Sequence, residues 1–338
     1  MRWLAGLLPA LVRVPAYLWA AVLVAAMLLL LTLVTQTPRG GDARPIEQAQ
    51  VWSAGQGPEQ AWTVALPHVW RNERRDWASR ATYRLRLPTA LSSLPRGGGL
   101  GLLLPRVGVR YRVLFNGHEV AAECWRRGPG YCDAGIRAQF VQLPAALMAA
   151  RWSDNRIDIE LQGQKLRISG LAPVWVGPRD ALYQRHRWLD WWQVDMTWMV
   201  LASAFMMGTL SVLIWLRTNE RLFGLLGGGL LVLTVRLWLS TPVFIPGPFW
   251  WWDYAHKLSF TWYCGFLYLF ISELFHFQQG FVRRLVVAMM AVGPFWLALL
   301  EWTANYQLYR WWTGVIVVVC LAALLAVIHR ARWGMNAN

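Results

Sequence analysis

Five apolar runs separated by short polar turns fill the second half of the chain: Asp195–Leu216, Leu222–Thr241, Leu258–Phe275, Leu285–Leu300 and Trp311–Ile328. Each approaches the ~20 residues that cross a ~30 Å hydrocarbon core at ~1.5 Å per residue, so the pattern predicts five transmembrane helices. A sixth run, Ala16–Val34, is uncharged and follows Arg2 and Arg13. It reads either as a cleaved signal peptide or as a retained anchor. Its length exceeds the ~7–15 residues of a signal h-region, and no Ala-x-Ala site follows it, which favours the anchor. After Ile328 only His329–Asn338 remain, a tail too short to fold.

Between the anchor and the first of the five runs the period changes. Tyr83, Leu85 and Leu87 alternate with polar residues, as do Ile157, Ile159 and Leu161, while Leu100–Leu104 and Val107–Phe115 are β-rich. Short strands punctuated by Pro, Gly and Asn turns predict an antiparallel β-sandwich. The expected organisation is therefore an anchor over residues 1–35, a β-sandwich over 36–193, a five-helix transmembrane bundle over 194–330 and a tail over 331–338.

Composition supports a membrane protein. Charged residues are 15% of the chain and apolar residues 56%, and the 24 tryptophans suit membrane–water boundaries. The net charge of +15 is carried by 31 arginines and two lysines, Lys165 and Lys257. These form no stripe, so no nucleic-acid partner is expected; membrane lipid is. Arginines at 2, 13, 217, 221, 283, 284, 330 and 332 share one side if both termini are cytoplasmic, which satisfies the positive-inside rule. Residues 36–193 then face the periplasm of a bacterial inner membrane.

A resemblance extends this reading. The series Trp62–Trp70, Tyr83-Arg84-Leu85, Val113-Leu114-Phe115-Asn116-Gly117, Leu143-Pro144 and Asn155-Arg156-Ile157 resembles a galactose-binding-type jelly roll. Gly170–Pro178 and the inner turn Arg217–Arg221 with Phe223-Gly224-Leu225 are similar to bacterial seven-transmembrane receptors with diverse intracellular signalling modules. That resemblance implies a periplasmic jelly roll above a membrane bundle. It also implies a sensory or regulatory module that binds a ligand or partner outside and relays it inward. The sequence departs from the family in having five crossings after the outer domain and no GGDEF, kinase or ATP-lid motif. The expectation is thus a protein that is not an enzyme and works with a separate cyclase or kinase. The alternative is a non-catalytic subunit of an envelope or polysaccharide-export assembly.

Candidate residues follow. Cys124 and Cys132 flank a tight loop, and a disulfide there contributes roughly 2–3 kcal/mol by the chain-entropy estimate. The loop either is a plain stapled turn or presents Trp125, Arg126, Arg127 and Tyr131 to a glycan or small-molecule ligand, with Trp175 nearby in sequence to the membrane. Arg236 lies deep in an apolar run and either pairs with Glu301 or Asp253 or snorkels outward. Glu273 is within reach of Arg283 or Arg284. The small-residue face Gly224/Gly228 is an internal helix contact or a dimer face. Cys264 and Cys320 read as buried packing residues. The six histidines show no metal-ligand spacing, and neither metal nor cofactor is expected.

Overall fold

The structure, a computed structural model, describes Ala25, Leu29 and residues 42–334 except 71–79, 93–98, 126–130, 164–168, 246–248, 276–279 and 304–305. Apart from Ala25 and Leu29, the expected N-terminal anchor lies outside the described residues.

Two antiparallel sheets make the first half. One orders β1 (Arg44–Ile46), β13 (Val174–Pro178), β6 (Leu100–Leu104) and β10 (Gln139–Leu143). The other orders β3 (Trp62–Ala65), β2 (Gln48–Ser53), β5 (Arg80–Arg86), β11 (Arg156–Gln162), β7 (Arg110–Phe115) and β8 (His118–Glu123). Alternation explains their facing. Tyr83, Leu85, Phe115, Ile157, Ile159 and Leu161 point inward, fully buried, and meet Leu102, Leu104, Val141 and Val176 from the other sheet. The intervening Arg84, Asp158, Arg112 and Glu160 point outward and pair across strands, Arg84 to Asp158 at 2.8 Å and Arg112 to Glu160 at 2.8 Å. Opposite charges on neighbouring strands suit such ladder positions.

Leu100–Leu104 breaks the alternation, being buried throughout. The reason is a helix, α1 (Arg179–Asp190), which covers the outer side of that sheet through Leu182 packed on Ala43, Leu103 and Ala138. A strand covered on both faces reads as a continuous apolar run.

The expected jelly roll is corrected here. Strands β1 and β10 edge one sheet, β3 and β8 edge the other, and among the described residues no ladder joins the two, so neither sheet closes into a barrel. A bulge between Val113 and Leu114 twists the β8 edge. The region is a β-sandwich of two open sheets. Its β7–β8 hairpin turns on Asn116 and Gly117, both with positive φ (49° and 88°), as a type I′ turn requires. Asn116 also bonds the Asn155 side chain at 2.8 Å, fixing the start of β11.

Helix α1 continues through one π turn, Trp191–Asp195, into α2 (Met196–Thr218); then follow α3 (Arg221–Ser240), α4 (Phe249–Leu274), α5 (Gly280–Thr303) and α6 (Tyr306–Gly334). Three stretches are long and apolar enough to cross a membrane: Arg179–Thr218, Arg221–Ser240 and Gly280–Thr303. The expectation of five is therefore corrected among the described residues. Helix α4 carries Asp253, His256, Lys257 and Glu273, which lowers its hydropathy, and the described apolar stretch of α6 is Leu308–Ala322. The glycine face is an internal contact. A β-carbon on Gly227 would meet Val212 N at 2.9 Å, so α2 and α3 approach backbone to backbone, while Gly228 faces Phe266 of α4. At the far end of the bundle Arg283 lies 3.5 Å from Glu273.

Two short ladders lie at the junction of sandwich and helices, one within the sandwich and one between the two. Strand β4 (His68–Val69) pairs β12 (Gly170–Leu171). Strand β9 (Tyr131–Cys132) pairs β14 (Phe244–Ile245), which belongs to the α3–α4 connection. The Asp133 N–H extends the second ladder to the Val243 carbonyl at 2.8 Å. Cys132 is bonded to Cys124 as expected from their spacing.

Within the core, the Tyr83 hydroxyl bonds His68 Nδ1 and Trp70 Nε1, each at 2.7 Å. Burial holds the phenol well above its ordinary pKa, so it stays protonated. The indole N–H can only donate, so Tyr83 accepts from Trp70 and donates to His68. Tyr83→Phe is expected to destabilise the protein by about 1–3 kcal/mol, read as a lower melting temperature in detergent. An unchanged midpoint would contradict this assignment.

Candidate functional site

A cleft of about 640 Å³ opens where the sandwich meets the upper ends of α3, α4 and α6. Its sandwich wall comes from the two junction ladders and the β6–β7 connection: His68, Arg106, Asp133, Ser169 and Gly170. Its floor comes from the helices: Ser240, Asp253, His256, Lys257 and Tyr309. Gly170 is required here by close approach, because a β-carbon would run into the His68 carbonyl of the paired strand.

The floor holds a buried charge cluster. Lys257 Nζ lies 2.6 Å from Asp253 one helical turn earlier and also bonds Glu301 of α5. The three side chains are 6–9% exposed. The ammonium also sits 4.6 Å from the centre of the Tyr309 ring, a favourable cation–π position. One cation thus serves two carboxylates, leaving the cluster one negative charge in excess.

Beside it, Ser240 Oγ lies 3.1 Å from His256 Nε2 and 2.9 Å from the Arg236 carbonyl. A hydroxyl has one proton. Ser240 gives it to the carbonyl, so by this assignment His256 Nε2 carries hydrogen and donates to Ser240. The geometry therefore makes His256 Nδ1 the accepting nitrogen and does not activate Ser240 as a nucleophile. On the opposite wall, the Asp133 carboxylate accepts the Gly135 N–H at 2.9 Å. The Ser169 hydroxyl is buried and has no hydrogen-bond partner among the described residues.

The residues singled out from sequence sit elsewhere. Trp125 lies between the Arg80 and Arg112 guanidinium groups, at 5.4 and 4.9 Å. Trp175 is covered by Arg185 of α1 at 3.8 Å. Tyr131 contributes backbone to the β9–β14 ladder, while Arg126 and Arg127 lie outside the described residues. None of the described candidates lines the cleft. The expected Arg236–Glu301 pair is corrected too: Glu301 is taken by Lys257, and Arg236 donates to the His256 carbonyl at 3.2 Å and lies 4.6 Å over Phe260. The lysine won because it stands on α4, between the two carboxylates. A signal was present in Asp253 and Lys257, an acid four residues before one of only two lysines, a spacing that pairs on a helix.

No protein-family model matches the chain, and no curated protein matches it. Solved structures that resemble it include a β-D-mannosidase from Dictyoglomus thermophilum (TM-score 0.30, 8% identity), covering 40% of this chain and 22% of that one. A mutant of Bacteroides uniformis β-glucuronidase 2 (0.30, 15%) matches over 40% and 17%, and a Ruminococcus gnavus β-glucuronidase (0.28, 13%) over 40% and 28%. The chain spans less than a third of the length of each.

The expected kinship with seven-transmembrane receptors is corrected: no family model supports it, and three described helices, not seven, have the length and apolarity to span. The sensory-relay reading falls with that kinship, and so does its alternative, a non-catalytic assembly subunit. The expectation of a protein that is not an enzyme is withdrawn as well. It rested on the lack of GGDEF, kinase and ATP-lid motifs, whereas the cleft floor gathers Asp253, His256 and Lys257 against Glu301. At TM-scores near 0.3 the likeness transfers neither residues nor activity.

Removing the shared cation tests the cluster. Lys257→Met leaves two carboxylates buried together and is expected to cost about 3–5 kcal/mol, seen as a fall in melting temperature. Adding Glu301→Gln should recover part of that loss. A Lys257→Met protein as stable as the parent would show that the carboxylates are solvated.

Proposed function

We propose that the protein binds a neutral, hydroxyl-rich ligand, the glycan part of a soluble or lipid-linked saccharide, in the cleft at the membrane surface. The observation that carries this reading is the composition of the cleft. Two carboxylates, Asp133 and Asp253, face two cations, Arg106 and Lys257, and the remaining polar groups are hydroxyls and imidazoles. With Glu301 behind Lys257 the site holds three carboxylates to two cations, which gives no advantage to a phosphate ligand. It offers many donors and acceptors to a sugar, with the Tyr309 ring at its edge. The volume falls in the ~300–1,000 Å³ range of small-molecule sites. A site assembled from a sandwich and the helix ends beneath it stands where a head group would project from the bilayer.

His256 and Asp253 are the groups in the floor suited to moving a proton to or from a bound hydroxyl, since acid–base work needs such groups within hydrogen-bond reach. The proposal also places the sandwich on the periplasmic side of a bacterial inner membrane. The Cys124–Cys132 bond suits an oxidising compartment, and Arg217, Arg221, Arg283 and Arg284 cluster at helix ends remote from the sandwich.

Ser169 provides the test. Its orphaned hydroxyl costs folding free energy unless a ligand satisfies it. Ser169→Ala is expected to leave the melting temperature unchanged or raised and to weaken saccharide binding about fivefold, for ~1 kcal/mol of lost hydrogen bond. Binding is measured on the full chain in right-side-out and inverted vesicles, with neutral oligosaccharides and with a lipid-linked saccharide as separate arms. Binding confined to right-side-out vesicles supports both the ligand class and the orientation. Binding in neither arm, or only in inverted vesicles, contradicts the proposal.

A further inference from the structure

Below the cleft, α4, α5 and α6 enclose a second, much smaller space. It offers about 20 Å³ to the centre of a water-sized sphere, where a single water occupies ~10–15 Å³ by the same measure. It therefore fits one atom-sized guest and no organic ligand. Four sulfur-bearing side chains line it: Cys264 of α4, Met289 and Met290 of α5, and Cys320 of α6.

These sulfurs come from three helices and are brought together by packing. Cys320 Sγ lies 3.8 Å from the Cys264 carbonyl, which brings the two residues together across α4 and α6. Met290 packs onto Gly265, where any β-carbon would collide with its thioether, so the residue after Cys264 has to be glycine for that sulfur to lie alongside. The Thr261 hydroxyl in the same wall is already engaged, donating to the Lys257 carbonyl at 3.3 Å and accepting from Trp312 Nε1 at 3.2 Å. What remains toward the void is mostly sulfur and hydrocarbon.

Thiolate and thioether donors select Cu(I) over the harder divalent ions, which favour imidazole, carboxylate and water. We propose that Cys264 and Cys320, with Met290 and its neighbour Met289, form a Cu(I) site inside the helical bundle. The exchange balances without electron transfer: one Cu⁺ and two thiols give a bis-thiolate complex of charge −1 and two released protons. Arg236 is the cation toward which that residual charge would be drawn. Its guanidinium lies 4.6 Å over Phe260, one helical turn before Cys264 on α4, and its hydrogen bond goes to a backbone carbonyl rather than to a carboxylate. The site thus gives a role to a buried arginine that the cleft does not use.

The test uses the full chain in detergent, with Cu(I) kept reduced by ascorbate so that Cys124–Cys132 stays closed. Titration against the chromogenic chelator bicinchoninate is expected to show one Cu(I) per chain, a sulfur-only shell by X-ray absorption and a copper-dependent rise in melting temperature. Zn²⁺ should give none of these. Cys264→Ser or Cys320→Ser should weaken binding by at least ~100-fold and Met290→Leu by ~10-fold, the latter in line with typical losses when a metal's supporting groups are removed. The melting temperature of each variant without copper serves as the folding control. Cu(I) uptake no greater than that of a variant lacking both thiols, in protein of normal metal-free stability, would overturn the proposal. So would a shell of nitrogen or oxygen, or recovery of Cys264 and Cys320 as a disulfide.

Discussion

The arrangement depends on how the sandwich is held against the helices, and a ladder of two residues does much of that work. Strand β9 carries Cys132, bonded to Cys124 within the sandwich, and pairs with the connection between α3 and α4. The disulfide fixes one partner and the helix ends fix the other, so little further entropy is lost when the ladder forms. A second attachment is the helix that leaves β13, covers the four-stranded sheet and runs through a π turn into α2. Two attachments at separate points define a position where one would leave a hinge. The cleft is the space between them.

The chemistry of the cleft follows from that placement. Asp253, His256 and Lys257 lie in the opening turns of α4, where a helix enters the bilayer boundary and charge is still tolerable. Glu301 reaches the same point from the end of α5, so the cluster closes across two helices. Burying three charges is expensive, and replacing them with apolar groups is often neutral or stabilising in other proteins. Their retention beside a polar cleft fits a binding role better than a fastening one. Ser169 belongs to the same logic, a buried hydroxyl whose partner is not supplied by the described residues around it.

Local structure was legible in the sequence wherever one short segment decides its own geometry. The alternation of Tyr83, Leu85 and Leu87, the Asn116–Gly117 turn and the spacing of Cys124 and Cys132 each specify their outcome without help from afar. The reading failed where partners are far apart in the chain. Lys257 and Glu301 stand 44 residues apart, and apolar depth alone favoured Arg236 as the partner. The cleft draws on seven separate stretches, none of which carries a motif. The disulfide loop was read either as a stapled turn or as presenting aromatic and charged groups to a ligand, whereas β9 at its end docks on the helices. Counting membrane spans by apolar run included α4, which begins with charged residues that belong to the cleft.

Deuterium uptake at Tyr131 and Asp133, measured on the full chain in detergent, tests most directly whether sandwich and helices form one body. If the β9–β14 ladder joins them, these amides exchange as slowly as those of the neighbouring strand β7. Exchange as fast as in the open turn around Gly55–Gly57 would mean that the sandwich moves independently and that the cleft has no fixed walls.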